Sequence, residues 1–291
     1  SCAMLRATVK LCCGIAHDHL RRLPGKHCSP PRRPREKQAE KRVLKEMLRG
    51  FTLLCLAPAA ACLEPARDVS PSQFSSVDLF YITQGETALQ RALSILQQHT
   101  SWQAETMLDA VAAVSSAALP GLGKVFRAEA VLAVPVARLH RELFEGIEQM
   151  PQWNPTLSQV KVLQRIGTDT LVTHEVTAPS PGNLVGQRDF VSVQHRRRRE
   201  TAIYLVGTAT HVEPLPLQEG CIRAESRLSC IILQPLAGDP GRTRFTWLLS
   251  MDLKASAAGW IPTSIINRVL PQSQADFIKH LCRHLSATAC P

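Results

Sequence analysis

Aromatic side chains are scarce in this chain: they make up 5% of its 291 residues, with only two tyrosines. An interior built from it is therefore mostly aliphatic. Ten cysteines are present, yet none are paired as C-x-x-C. Without ligands at short fixed spacings they offer no zinc site. Cys221, Cys230, Cys282 and Cys290 lie in a stretch of ordinary cytosolic composition, so a disulfide framework is not expected either; reduced, partly buried thiols are. Catalytic signatures are missing as well: no G-x-S-x-G elbow, no H-E-x-x-H, no P-loop and no Rossmann glycines. With the histidines scattered and no converging nucleophile and base, the chain does not read as an enzyme. No apolar run approaches the ~20 residues that span a bilayer. The best candidate, Phe51 to Leu63, is short and contains Pro58.

What is present is charge of one sign, unevenly placed. The formal net charge is +10. From Ser1 to Glu40, Arg6, Lys10, Arg21, Arg22, Lys26, Arg32, Arg33, Arg35 and Lys37 face only Asp18, Glu36 and Glu40. Met4 opens Met-Leu-Arg-Ala-Thr-Val-Lys-Leu, and on a helix Arg6 and Lys10 share one side while Leu5 and Val9 share the other. A basic, amphipathic, acid-poor beginning is the pattern of a mitochondrial presequence. The membrane potential draws each such charge inward by about 2.3 kcal/mol per 100 mV. Three prolines break Ser29 to Arg35. Residues 1–65 are therefore expected to be presequence and flexible linker, mostly disordered, with a folded domain over 78–290.

Within that domain Asp78 to Gln98 has helical spacing, with Ile82, Leu89, Leu93 and Leu96 on one face. After an alanine-rich stretch, Lys124 to Val134 reads as a strand and Val136 to Met150 as a helix, ended by Pro151 and Pro155. Val160 to Ile166 and Thr170 to Thr177 flank a hairpin turn at Gly167-Thr168-Asp169. Phe190 to Gln194 and Ala202 to Gly207 flank the basic run Arg196 to Arg199. Further strands are expected at Cys221 to Ala224, Cys230 to Gln234 and Arg244 to Leu253. Ser264 to Leu285 closes the chain as a long helix, with Ile266, Leu270, Phe277, Leu281 and Leu285 on one stripe and Pro271 inside it. The order gives an α+β fold: a curved antiparallel sheet wrapped around a long C-terminal helix, with a concave interior.

That order, with Gly123-Lys124-Val125-Phe126-Arg127, Trp153-Asn154-Pro155, Lys161-Val162-Leu163-Gln164 and Thr173-His174-Glu175, resembles the START-domain lipid-transfer family. Gly182-Asn183-Leu184-Val185-Gly186, Arg188-Asp189-Phe190-Val191-Ser192-Val193, Thr246-Trp247-Leu248-Leu249-Ser250 and Ser264-Ile265-Ile266-Asn267 extend the likeness. Together with Met4-Leu5 and the basic N-terminus, they match the mitochondrial, sterol-carrying branch. The resemblance implies a helix-grip START domain enclosing a hydrophobic lipid cavity. It also implies binding of cholesterol and its transfer from the outer to the inner mitochondrial membrane for steroid hormone synthesis, with no cofactor. A carrier of another lipid (oxysterol or phospholipid) and a sterol-sensing mitochondrial adaptor are the alternatives. The outer-membrane surface and the import machinery are the implied partners, and the C-terminal helix is the implied lid.

Period-two alternation puts Glu175 on one strand face with Leu171 and Thr173, and His174 on the other. By resemblance Glu175 lies at the cavity floor, where the family pairs it with an arginine; here that position is Gln194. Glu175 is then either protonated, hydrogen-bonded to Gln194 or water, or served by Arg188, whose other reading is a structural tie between strands. Met150, Asn154, Leu205, Ser229, Leu249, Leu270 and Leu285 are the remaining cholesterol-binding candidates by resemblance. Ala255 to Ala258 look inserted before Gly259-Trp260, and Pro271 is expected to kink the lid helix. Arg198-Arg199-Glu200-Thr201 suits protein kinase A, with Thr201 as the acceptor beside four arginines. The run lacks an aromatic stacking platform, so nucleic acid is not an expected partner.

Overall fold

A computed structural model describes residues 73–98, 101–106, 112–179, 186–254 and 262–287. The expected presequence and linker, the Gly182–Val185 string and the Ala255–Ala258 insertion lie outside the described residues.

Helix α1 spans Ser76–Gln97. It begins where the physics of an N-terminus requires: the Ser75 hydroxyl accepts from the Asp78 amide, and Asp78 accepts from the Ser75 amide in return. Its buried stripe is Tyr81, Gly85, Ala88, Leu89, Ala92 and Ile95. Gly85 sits against the sheet so closely that a Cβ there would fall 2.5 Å from the Cβ of His195.

The strands are β1 (Gln103–Ala104), β2 (Ala113–Leu119), β3 (Gly123–Leu132), β4 (Leu157–Ile166), β5 (Thr170–Thr177), β6 (Arg188–Arg199), β7 (Ala202–Ala209), β8 (Ile222–Arg223), β9 (Glu225–Leu236) and β10 (Asp239–Asp252). They form one sheet in the order β1-β2-β3-β10-β9-β7-β6-β5-β4, antiparallel throughout except that β8 pairs parallel with β6. The chain thus enters at one edge, crosses to the other with β4, and returns by hairpins to close β10 against β3. The sheet does not close into a barrel.

Between β3 and β4 the expected single helix is broken. Helix α2 covers only Val136–His140; a π turn follows over Arg141–Glu145 and a 3-10 turn over Ile147–Gln152. Gly146, whose amide bonds to the Arg141 carbonyl five residues back, is the point of change. The basic run differs too. Arg196 to Arg199 belong to β6 rather than to a loop, and the hairpin tip is Glu200-Thr201, with Glu200 at a φ of 52°. Helix α3, Thr263–Ala287, runs continuously through Pro271, which is buried.

Alternation along the strands sorts the interior into two faces. One face packs against α1 with Val125, Val206, Leu228, Cys230 and Leu248, continuing through Tyr81, Ile166, Val172 and Val193. The other, inner face carries Val114, Ala128, Leu171, Leu205, Leu233 and Phe245. It is covered by Phe277, Ile278, Leu281 and Leu285 of α3 and by Leu139, Leu143, Phe144 and Ile147 from the broken helix.

Candidate ligand-binding site

Glu175 and Gln194 lie on β5 and β6, on the inner face of the sheet. Most of its side chains are aliphatic, yet Met150, Trp153, Val162, Ile203, Ile231 and Trp247 remain only partly buried although they pack into the inner cluster. Polar groups are few and fall on one patch. Glu175 of β5 is half-buried, and its Oε1 accepts from the Thr173 hydroxyl and from Gln194 Nε2 on β6, each at 3.2 Å. Burial, acting first, raises the Glu175 carboxyl above its ordinary value; the hydrogen bonds from Thr173 and Gln194 and the nearby His174 pull the other way without reversing it.

Gln194 in turn rests on a glycine. It pairs with Gly207 of β7, where a Cβ would come within 2.7 Å of its Oε1. The missing side chain at Gly207 is what lets the amide lie flat and reach Glu175. Gly207 pairs with Ser229 of β9, and Ser229 with Leu249 of β10. Leu171, Gln194, Gly207, Ser229 and Leu249 therefore form one row across five strands, with about 10 Å between Gln194 and Ser229. Ser229 accepts from Trp247 Nε1 at 3.0 Å. Trp247 meets Phe277 of α3 at a ring separation of 4.9 Å, and Phe277 meets Trp153 at 5.4 Å. The polar row is thus continuous with an aromatic bridge to the covering helix.

The remaining expected site residues are placed as follows. Leu205 is buried in the inner cluster, Met150 is half-buried against it, and Leu249 is buried in the polar row's register. Leu270 and Leu285 are both buried on α3. Asn154 is buried, but its Oδ1 accepts from the Thr156 amide and hydroxyl, so this group is committed to its own turn. Arg188 makes no ion pair with Glu175. It donates through Nε to the Leu253 carbonyl at 3.2 Å and through Nη1 to the Gly186 carbonyl, tying β6 to the end of β10. That geometry favours the structural reading of Arg188 over a cavity pair with Glu175.

On the opposite face His174 and Arg223 both hold the fully buried Asp189, at 2.9 and 2.8 Å. Burial alone would raise the Asp189 carboxyl; hydrogen bonds and charge from Arg223 and His174 outweigh it and hold the carboxyl below its ordinary range. Thr201 is exposed at the hairpin tip. Of its four arginines, Arg196 is engaged by Asp169 and Arg197 by Glu86, which leaves Arg198 and Arg199 exposed near the hydroxyl.

The hydrogen-bond donors to Glu175 are the Thr173 hydroxyl and the Gln194 amide. Among the described residues no three His, Cys, Asp or Glu side chains are grouped to hold a metal ion. Gly207 and Trp247 were missed at the sequence level as members of this patch. Gly207 carried the one usable signal, a glycine inside a strand, which marks close approach.

A sheet of this order gripping a terminal helix, with one polar patch on an apolar inner face, is the architecture of a START domain. Residues 82–289 match the START domain family, and the chain belongs to it. It is 44% identical over 98% of its length to the steroidogenic acute regulatory protein, mitochondrial, of Gallus gallus, covering 99% of that protein. The Homo sapiens protein of the same name is 42% identical, over 98% of this chain and 97% of its own. Among solved structures, human StAR-related lipid transfer protein 5 superposes with a TM-score of 0.65 over 73% of this chain and 99% of its own. Its sequence identity is 18%, so the likeness is one of fold. The mitochondrial location expected from the basic N-terminus agrees with the names of the full-length relatives.

Proposed function

We propose that this chain is a non-enzymatic carrier that takes one cholesterol onto the inner face of its sheet and moves it from the outer to the inner mitochondrial membrane. The observation that carries the reading is the Glu175–Gln194 pair, a small polar patch on an otherwise aliphatic and aromatic wall. A sterol has one hydroxyl and a rigid apolar body. It needs a site with one donor–acceptor position and a long apolar lining, and little else. A phospholipid head would need a cation for its phosphate, whereas the groups bonded to Glu175 are the neutral amide of Gln194 and the hydroxyl of Thr173. The full-length likeness to proteins named for acute steroidogenic regulation supports the same substrate and the same membrane.

The test is transfer of a fluorescent sterol from donor vesicles to isolated mitochondria by the full chain. Addition of the protein is expected to accelerate arrival at the inner membrane, with stoichiometric binding near one sterol per chain. Phosphatidylcholine transfer at an equal or higher rate, or no sterol transfer, would remove the reading.

A further inference from the structure

Three side chains reach the inner cluster from the stretch between the π turn and β4. Ile147 and Met150 lie in the 3-10 turn over Ile147–Gln152, and Trp153 directly follows it. That turn has little of its own to hold it. It follows a π turn, its six residues are long for a 3-10 run, and Pro151 within it has no amide to donate. Its shape therefore depends on what it is fastened to.

The fastening lies at the rim of the sheet. Strand β4 ends the sheet and, among the described residues, pairs with β5 alone, so its other edge turns backbone groups outward. Glu148, the neighbour of buried Ile147, is exposed, and its Oε1 accepts from the Val162 amide of β4 at 2.8 Å. Val162 is a point of leverage. Its side chain packs against the same inner cluster as Met150 and Trp153, and the register of β4 on β5 slips between it and Gln164. The second carboxylate oxygen, Oε2, stands 3.9 Å from Arg165. Both of those side chains are exposed, so this pair adds little. The bond from a backbone amide to a carboxylate is the stronger link.

We infer that Glu148 is a positioning residue of the ligand wall: through the Val162 amide it fixes the turn that sets Met150 and Trp153 on the inner face. The inference rests on the carrier reading for what the wall holds, and not for the tie between turn and strand. Two variants of the full chain separate the acceptor from the charge. Glu148→Gln keeps an oxygen for the Val162 amide and gives up the charge beside Arg165; Glu148→Ala removes both. Exchange of the Val162 amide with solvent is expected to be about tenfold faster in Glu148→Ala than in the unmodified protein or Glu148→Gln. The Met150 methyl resonance should move in Glu148→Ala alone.

With a fluorescent sterol, Glu148→Ala is expected to weaken the Kd about tenfold and Glu148→Gln to stay within about twofold. Two further variants tell positioning from a general loss of stability. Gly85→Ala, on the other face of the sheet, should lower the melting temperature and leave the Kd unchanged. Met150→Ala should weaken the Kd in the unmodified background and change it little in the Glu148→Ala background, where the turn no longer holds Met150 in place. An unchanged Kd in Glu148→Ala, or additive losses in the double variant, would overturn the inference. So would a Glu148→Gln as weak as Glu148→Ala, which would assign the effect to the charge beside Arg165. If the unmodified chain binds no sterol, the carrier reading falls, and the tie stands or falls by the Val162 exchange and the Met150 resonance.

Discussion

At the scale of single residues, the informative group is a carboxyl kept where a charge is costly. Burial raises Glu175, so the folded protein holds that proton more tightly than the unfolded chain does. Where the folded state binds more protons, stability falls as pH rises, from the ordinary value of 4.5 up to the raised one. Glu175→Gln removes the titration and keeps the shape. Its melting temperature is expected to exceed that of the unmodified protein at neutral pH, and the gap to close as pH falls below the ordinary carboxylate value. Thermal melts at several pH values check this; a lower melting temperature for the variant at neutral pH would mean that the ionised form is the stabilised one. The face on which Glu175 lies was legible from alternation alone. Its bond to Gln194 was one of several readings left open, because cross-strand partners depend on register, and register depends on hairpins not yet known. The Trp247–Ser229 bond was illegible for the same reason.

At the scale of elements, strongly periodic segments were readable and weakly periodic ones were not. The terminal helix and the β4–β5 hairpin fall where spacing and the Gly167 turn put them. Strand β2 did not show, since Ala113-Val114-Ser115-Ser116-Ala117-Ala118-Leu119 is poor in the β-branched and aromatic residues that mark strands. It is held by pairing with β3, a tertiary cause. Helix α1 shows how packing overrules propensity. Alanine in place of Gly85 would favour the helix by about 1 kcal/mol. The new Cβ, however, would meet the Cβ of His195, which cannot swing aside as a flexible side-chain end would. His195 is moreover held by Thr170 at 2.8 Å and Glu86 at 3.2 Å. Overpacking costs of about 1–3 kcal/mol then prevail. Gly85→Ala is expected to lower the melting temperature by several degrees, measured by circular dichroism. A rise would show that α1 has room to shift.

At the scale of the whole molecule, the sheet and the helix it grips have different claims to stability. Strand β10 is paired on both sides over much of its length, with β3 on one and β9 on the other, and its Phe245, Leu248 and Leu249 are buried. No amide there can exchange without breaking the centre of the sheet. Helix α3 is bound through side chains on one face, and its backbone hydrogen bonds are internal to itself, so it can part from the sheet while every strand stays paired. Native-state hydrogen exchange is therefore expected to show Phe245 to Leu249 and Leu228 to Leu233 exchanging last, at the free energy of global unfolding. Leu270 to Leu285 should exchange earlier, through a smaller opening, and a bound sterol should slow that opening in proportion to its occupancy. Exchange of α3 in step with β10, with or without sterol, would mean that helix and sheet form a single cooperative unit and that ligand enters by another route.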